Sequence, residues 1–571
     1  MARRRGRTAP SKETPSDPEK KGPESRGRPG SRGALVAVLA VILLVALVRL
    51  RVADVPLERD EGEYAYAGQL ILQGIPPYQI AYNMKFPGTY YAYALILALF
   101  GSTPWGIHVG LLLVNAATTL LVFALGRRML GNLPAVVAAS AFALLSLDRW
   151  IMGVFAHATH FVLLAALLGL FLLLRATESR RWAEYFGAGV LLGAAVLMKQ
   201  HAIFFLPLGA ALALLAEIRR ETRSPRTVAM PLLFLAAGSA VPLAVLVVVF
   251  AAEGVLGRFW FWTFRYAGEY VSQVPLAQLL PGLLAGLRGV TVANLPLWLV
   301  GAAGVVALWV GTWEAAARAF VTGLLAASLL SVLPGLYFRD HYFILLLPAV
   351  ALGAGVAVAA LERVLQRIVA PGLSRVLALT LFVGAAAHYV ATEREYLFSM
   401  PPDKVSRKRY GLNPFVEAPE IARYVRERTS PTDTIAVLGS EPEIYFYADR
   451  RSATGYIYTY PLLEPQPFAA RMQREMIDEI QSARPSYVVF AKIVTSWLPR
   501  RESDKTILAW AERYTKECYD LVGIADIQSM DVTTYRFDEE VAGYRARSDN
   551  ALFVFRRKGS DPCAVDPAHL R

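Results

Sequence analysis

The 571 residues are 55% hydrophobic and only 18% charged, with a positive mean hydropathy, which is more apolar surface than a water-soluble chain of this length can hide in its core. The formal charge of +13 would suit a nucleic-acid binder, but residues 1–33 alone carry ten Lys or Arg against four acids, and short loops between apolar runs hold much of the rest. Membrane topology explains that distribution better, and no nucleic-acid partner is expected.

Residues 1–33, rich in Arg, Pro, Ser and Gly, lack the apolar side chains needed to fold and are expected to form a disordered basic cytoplasmic tail. The run from Gly33 to Val48 is followed by Arg49, Leu50 and Arg51 without a small-residue cleavage pattern, so it reads as an uncleaved signal anchor rather than a cleaved signal peptide. A span takes roughly 17–25 predominantly apolar residues, and tilt or bundle packing completes shorter runs. Eleven spans are expected, near 34–50, 105–125, 133–147, 158–174, 184–198, 201–216, 229–251, 293–311, 318–336, 342–361 and 374–391. With the N-terminus inside, the cytoplasmic loops hold Arg127 and Arg128; Arg175, Arg180 and Arg181; Arg219, Arg220, Arg223 and Arg226; Arg318; and Arg363, Arg367 and Arg375. That arrangement satisfies the positive-inside bias, and an odd span count puts residues 392–571 outside.

Those last residues alternate β-rich runs (Thr434 to Leu438, Tyr487 to Phe490, Ala551 to Phe555) with helical patterns (Phe468 to Ile480, Lys505 to Tyr514) and carry no recognisable catalytic motif. Cys518 and Cys563 either pair in an oxidising compartment or remain two free thiols. The expected architecture is thus a polytopic α-helical membrane protein of the cell (inner) membrane, with about eleven transmembrane helices over 34–391 and a small extracytoplasmic α/β domain over 392–571.

Polar residues at a membrane boundary are costly unless solvated or paired, so their accumulation on one face is a site hypothesis. The first outward loop reads Glu58, Arg59, Asp60, Glu61, Gly62, Glu63, Tyr64, then an amphipathic stretch to Gln73, and later Asn83, Met84, Lys85, Phe86, Pro87, Gly88. Asp60 and Glu63 have the spacing of a helix capping box, which competes with a chemical role for Asp60. Lys85 and Lys199 also read as interfacial lysines reaching lipid headgroups, and Arg339 as a salt-bridge partner of Asp340.

Taken together, Asp60 and Glu61 after the first span, Lys85 and Pro87 some 25 residues on, Met198–Lys199–Gln200–His201 ahead of Phe204–Phe205–Leu206–Pro207, and Tyr337 to Tyr342 ahead of Leu347 and Pro348 resemble the GT-C glycosyltransferases. The similarity is to the protein O-mannosyltransferases and the aminoarabinose transferases that modify lipid A, over roughly residues 34–391. The resemblance implies inverting transfer of a sugar from a polyprenyl phosphate carrier to an acceptor hydroxyl at the outer membrane face. It matches Asp60 to the catalytic acid, with Glu61 as a supporting acid, and Lys85, Lys199, Arg339 and, more weakly, His341 to donor-phosphate binding.

Related enzymes place a second acid early in the span at 158–174, where this chain has His157, Ala158, Thr159, His160. Either Asp148 substitutes or a histidine takes the place; His157 and His160, three residues apart, could also share a metal, but no third ligand accompanies them. The sequence contains no Asp-x-Asp, so a monophosphate leaving group neutralised by Lys and Arg is expected, with no cofactor indicated. The competing readings are a non-catalytic subunit that binds lipid-linked sugar or assembles a polymer, and a secondary transporter, for which charges clustered at one face and the lack of an obvious repeat are a poor match.

Overall fold

The structure, a computed structural model, describes residues 31–220, 224–559 and 563–566. Residues 1–30 of the expected tail, and Arg223, lie outside this set. Helices α1 (Ser31–Arg51), α2 (Arg59–Leu72), α3 (Gly88–Phe100), α4 (Pro104–Leu130), α5 (Asn132–Leu145), α6 (Ala158–Ser179) and α7 (Trp182–Met198) are followed by a 3-10 turn at Gln200–Phe204. Next come α8 (Phe205–Ile218) and α9 (Pro225–Ala252), a pair of helical segments bent by 74° at Leu256–Val271 and Leu276–Thr291, and helices at Leu295–Val310, Ala315–Val332, Asp340–Leu365 and Pro371–Thr392.

Each of the eleven expected spans coincides with a helix, but among the described residues only eight helices are long and apolar enough to cross a membrane alone, or nine if the bent pair forms one span. The difference lies in α5, α7 and Leu295–Val310, of 14, 17 and 16 residues. At about 1.5 Å per residue, these are roughly 21–26 Å long, short of a hydrocarbon core of about 30 Å. Each lies in near-backbone contact with a longer helix. A Cβ on Gly189 of α7 would sit 2.2 Å from the Leu235 carbonyl of α9, one on Gly304 1.7 Å from the Gly353 carbonyl, and one on Gly355 2.2 Å from the Pro134 carbonyl of α5. Small residues that let backbones touch are the usual glue of helices in lipid, where no hydrophobic force drives them together.

The basic loops meet in two groups. Arg128 donates to the Leu174 carbonyl (2.8 Å) and pairs with Glu178, while Arg220 donates to the Thr177 carbonyl. Arg318 donates to the Gly311 carbonyl (2.8 Å) and Arg363 to the neighbouring Thr312 carbonyl (3.3 Å).

The C-terminal domain holds a mixed six-stranded sheet in the order β2-β1-β3-β6-β4-β5, built from β1 (Thr434–Leu438), β2 (Arg451–Ser452), β3 (Tyr487–Lys492), β4 (Tyr519–Ile527), β5 (Thr533–Phe537) and β6 (Ala551–Arg557). β1 runs parallel to β2 and β3; the remaining pairings are antiparallel. The expected strands are β1, β3 and β6, and the expected helices appear at Ala469–Ala483 and Thr506–Cys518. Cys518 and Cys563 are disulfide-bonded.

This domain is not an appendage on a linker. Tyr64 and Tyr66 of α2 and Tyr93 of α3 share one buried apolar cluster with Ile435 and Val437 of β1, Val489 of β3 and Val554 of β6. The Tyr66 ring stacks on Tyr445 at 5.2 Å, and its hydroxyl accepts the Ser452 backbone N–H (2.8 Å). At the end of α1, Arg51 donates to the carbonyls of Leu397 (3.0 Å), Tyr396 and Met400. The sheet is thereby fixed over the first loop after α1.

Candidate active site

The acidic run at the start of α2 divides its labour by position. The N-cap is Glu58, whose side chain accepts the Glu61 backbone N–H (2.9 Å) while Glu61 accepts the Glu58 N–H (3.3 Å). The capping box expected at Asp60 and Glu63 is therefore at Glu58 and Glu61. The reason is the register of the turn: the helix starts two residues earlier, which leaves Asp60 in the first turn with no capping duty.

Glu61 is fully buried and faces away from solvent. It faces His108 Nε2 at 3.0 Å and accepts the Ala156 backbone N–H. Its carboxylate thus holds the loop that presents His157, one residue on.

Asp60 opens onto a cavity of about 510 Å³. Its Oδ1 accepts from Lys85 Nζ (2.7 Å) and from the Tyr458 hydroxyl (2.8 Å), and its Oδ2 lies 3.8 Å from His157 Nδ1. Burial opposes ionisation of Asp60, but Lys85, helped by His341 and His157, outweighs it and holds the carboxyl well below the ordinary range.

Lys85 also pairs with Glu63, and its ammonium lies over the rings of Tyr64 (4.6 Å) and Tyr458 (5.2 Å). Its segment is anchored on both sides, with Tyr78 donating to the Lys85 carbonyl (2.6 Å) and Gln200 to the Met84 carbonyl (2.7 Å). Gly88 is a true close approach: a Cβ there would meet the Leu197 backbone at 2.5 Å. The absence of a side chain lets the start of α3 lie against the end of α7, which brings Lys85 and Lys199 to one cavity.

Lys199 sits at the break between α7 and the 3-10 turn, with Nζ 4.3 Å from the Tyr342 ring centre. Burial pushes its ammonium down to about 7, against the pull of Asp60. Arg339 lies 5.5 Å from the Tyr337 ring. Asp340, the partner expected for it, is instead paired with Arg409. Among the described residues no carboxylate lies within ion-pair distance of Arg339.

The His341 ring stacks on that of His157 at 4.2 Å and 13°. Burial pushes His157 down to about 4 despite the nearby Asp60 and Glu61 carboxyls, which makes its imidazole neutral. Ligand atoms of Asp60, His157 and His341 all lie within 4.8 Å of one another and could hold a cation. The third member of that set is His341 rather than His160. Lys85, 2.7 Å from Asp60, already supplies a positive charge at the same place.

Of the nine residues singled out from the sequence, Asp60, Lys85, Lys199, Arg339, His341 and His157 line this cavity, whereas Glu61, Asp148 and His160 do not. Asp148 is buried, held by the Trp150 N–H (2.7 Å) and by Asn294, and burial raises its carboxyl to about 7. His160 is buried within the first turn of α6.

Sequence reasoning missed the wall supplied by the C-terminal domain, namely Tyr458, Tyr460 and Glu464. The available signal was the alternation of Tyr456, Tyr458 and Tyr460. It also missed Trp262, Tyr266 and Tyr270 from the first arm of the bent pair, between the spans expected at 229–251 and 293–311.

Residues 84–253 match the family described as dolichyl-phosphate-mannose-protein mannosyltransferase. Over its length the chain is similar to the crystal structure of ArnT from Cupriavidus metallidurans bound to undecaprenyl phosphate, with a TM-score of 0.57 at 15% identity, covering 92% of this chain and 98% of that one. The same protein in the apo state gives 0.56 at 15% identity, with the same coverage of 92% and 98%. The apo oligosaccharyltransferase of Archaeoglobus fulgidus gives 0.50 at 14% identity, covering 89% of this chain and 75% of that one. No curated protein matches. The family match takes in Lys85, His157 and Lys199; Asp60 lies upstream of it and Arg339 downstream.

Proposed function

From a chain that has the GT-C glycosyltransferase fold and resembles the mannosyltransferase and ArnT branch, we propose that it transfers a sugar from a polyprenyl phosphate carrier to an acceptor hydroxyl at the extracytoplasmic face, with inversion. The observation that carries this reading is the convergence of Asp60, ion-paired with Lys85, and of Lys199 and Arg339 on a single cavity of about 510 Å³.

In the proposed step the acceptor oxygen attacks the anomeric carbon and its proton passes to Asp60. The bond from that carbon to the phosphate oxygen breaks, and the polyprenyl phosphate leaves with the electron pair. The donor is a phosphodiester with one negative charge and the leaving phosphate carries a second. Cations held around it therefore act more strongly in the transition state than in the ground state. Lys85 and Arg339 supply standing positive charge, and an arriving phosphate favours the protonated form of Lys199. As Lys85 turns toward the phosphate it loosens its hold on Asp60, whose pKa rises toward that of a useful base. Glu63, the other partner of Lys85, can stay paired with the ammonium as it turns.

Two observations support the outward location. The Arg-rich loop between α6 and α7 lies at the helix ends opposite those next to His157 and Lys199, and the Cys518–Cys563 disulfide in the domain that roofs the cavity suits an oxidising compartment. The test is transfer of labelled sugar from undecaprenyl phosphate sugars to membrane acceptors by the purified protein in lipid nanodiscs. Mass spectrometry of envelope glycans from a strain lacking the chain would identify the natural product. No transfer from any polyprenyl phosphate sugar would overturn the proposal.

A further inference from the structure

The cavity wall is unsuited to a prenyl chain. Eight of its lining residues are tyrosines, while its only aliphatic or thioether side chains besides proline are Met84, Met152 and Leu498. A space walled by aromatic faces and hydroxyls takes a polar head rather than a hydrocarbon tail, and its volume is in the range of small-molecule sites.

Four carboxylates line the cavity: Glu58, Asp60, Asp340 and Glu464. Glu58 is the helix cap, Asp60 is paired with Lys85, and Asp340 is paired with Arg409. Glu464 remains. Among the described residues it has no cation within ion-pair distance. Its Oε2 accepts from the Tyr266 hydroxyl (2.6 Å) and from Gln273 Nε2 (3.1 Å), and among the described residues no donor reaches Oε1. The Gln273 amide is itself fixed, because its oxygen accepts from Arg500 (2.7 Å). Beside it the rings of Tyr270 and Tyr337 stack at 4.5 Å and 18°. One carboxylate oxygen is thus locked by the protein, the other is left without a donor among the described residues, and a stacked tyrosine pair stands next to it.

We propose that Glu464, with the Tyr270–Tyr337 pair, is a sugar-ring subsite, in which Glu464 Oε1 accepts hydrogen bonds from ring hydroxyls and the tyrosine faces take the C–H face of the ring. Carboxylates accept from hydroxyls, and the electron-rich face of an aromatic ring attracts weakly positive C–H groups. The proposal rests on the function argued above and deepens it by assigning recognition of the sugar to the C-terminal domain. The ring belongs either to the donor or to a glycan acceptor.

The experiment uses the full chain in nanodiscs and measures binding of undecaprenyl phosphate, of its mannosyl, glucosyl and arabinosyl derivatives, and of mannobiose added to protein saturated with undecaprenyl phosphate. In Glu464→Ala the bare carrier should bind within about twofold of wild type. A donor-sugar subsite weakens the preferred glycosylated carrier by about tenfold or more, and an acceptor-sugar subsite weakens mannobiose by a similar factor, as loss of one charge-assisted hydrogen bond requires. Glu464→Gln should keep the melting temperature without restoring wild-type sugar affinity, because its amide oxygen stays with the Tyr266 and Gln273 donors and its NH2, which cannot accept from hydroxyls, turns to the cavity. Wild-type sugar affinity in Glu464→Gln would show that no acceptor is needed at the Oε1 position and overturn the hydroxyl assignment. Unchanged sugar binding in Glu464→Ala, or a wild type that binds the bare carrier but gains nothing from any sugar, would overturn the subsite. A wild type that binds no carrier at all would instead overturn the function on which it rests.

Discussion

Replacing Tyr458 by Phe deletes one hydroxyl and with it the 2.8 Å hydrogen bond that the C-terminal domain donates to Asp60 Oδ1. The ring should keep its place, since Tyr458 is buried and packs edge-on against Tyr460 at 5.7 Å. A hydrogen bond to a charged group contributes about 1.5–3 kcal/mol, and one pKa unit corresponds to about 1.4 kcal/mol. Complete loss would therefore raise the Asp60 pKa by roughly one to two units. The Asp60 side chain is 22% exposed, so water replaces part of the bond and a rise of about one unit is expected. The sign follows from what the bond stabilises. The hydroxyl favours the carboxylate form, its removal favours the protonated form, and the pKa moves up. The acid limb of kcat/KM for sugar transfer should then shift to higher pH by about one unit, with a smaller change on the plateau. The assay is initial rate against pH for wild type and variant, with melting temperatures alongside. A variant that folds normally but whose acid limb stays in place, or moves to lower pH, would refute the reasoning.

Arg339→Ala should weaken polyprenyl phosphate binding about tenfold to a hundredfold, because among the described residues no carboxylate neutralises Arg339, Asp340 being paired with Arg409, and one charge-assisted contact is worth about 1.5–3 kcal/mol; unchanged carrier affinity in a folded variant would remove it from the phosphate site. Glu61→Ala should cost stability rather than only rate, since it strands the Ala156 N–H and the His108 ring at roughly 1–3 kcal/mol per buried donor. A melting temperature equal to wild type would contradict that structural role. A reporter active only outside the cytoplasm should work when fused after Met400 and fail after Arg180; activity at Arg180 would overturn the proposed orientation.

The helices were legible because lipid demands long apolar runs, and that demand is written residue by residue. Length was less legible, because glycines such as Gly189 and Gly304 do their work only against a partner backbone far away in sequence. Asp60 and Lys85 could be singled out from the first outward loop, and the structure joins them at 2.7 Å. The capping register could not be read, since Glu58, Asp60 and Glu61 are all competent acids and only the start of α2 decides among them. The Arg339–Asp340 pair failed for a related reason. Adjacent charges look like partners in sequence, but the backbone turns them apart and Arg409 reaches Asp340 from the C-terminal region. Tyr458 and Glu464 were invisible because a residue some 400 positions from Asp60 carries no local mark of meeting it.

The central claim is that Asp60 takes the acceptor's proton, and Asp60→Asn tests it most directly. Asp60 is not the helix cap, and Lys85 keeps its pairing with Glu63, so the variant should fold with a melting temperature close to wild type and bind the carrier nearly as well. An amide cannot accept the proton, and general-base catalysis typically contributes 10² to 10⁴ in rate. Transfer from the polyprenyl phosphate sugar should fall by about that factor, whereas turnover near that of wild type in a folded Asn variant would contradict the account.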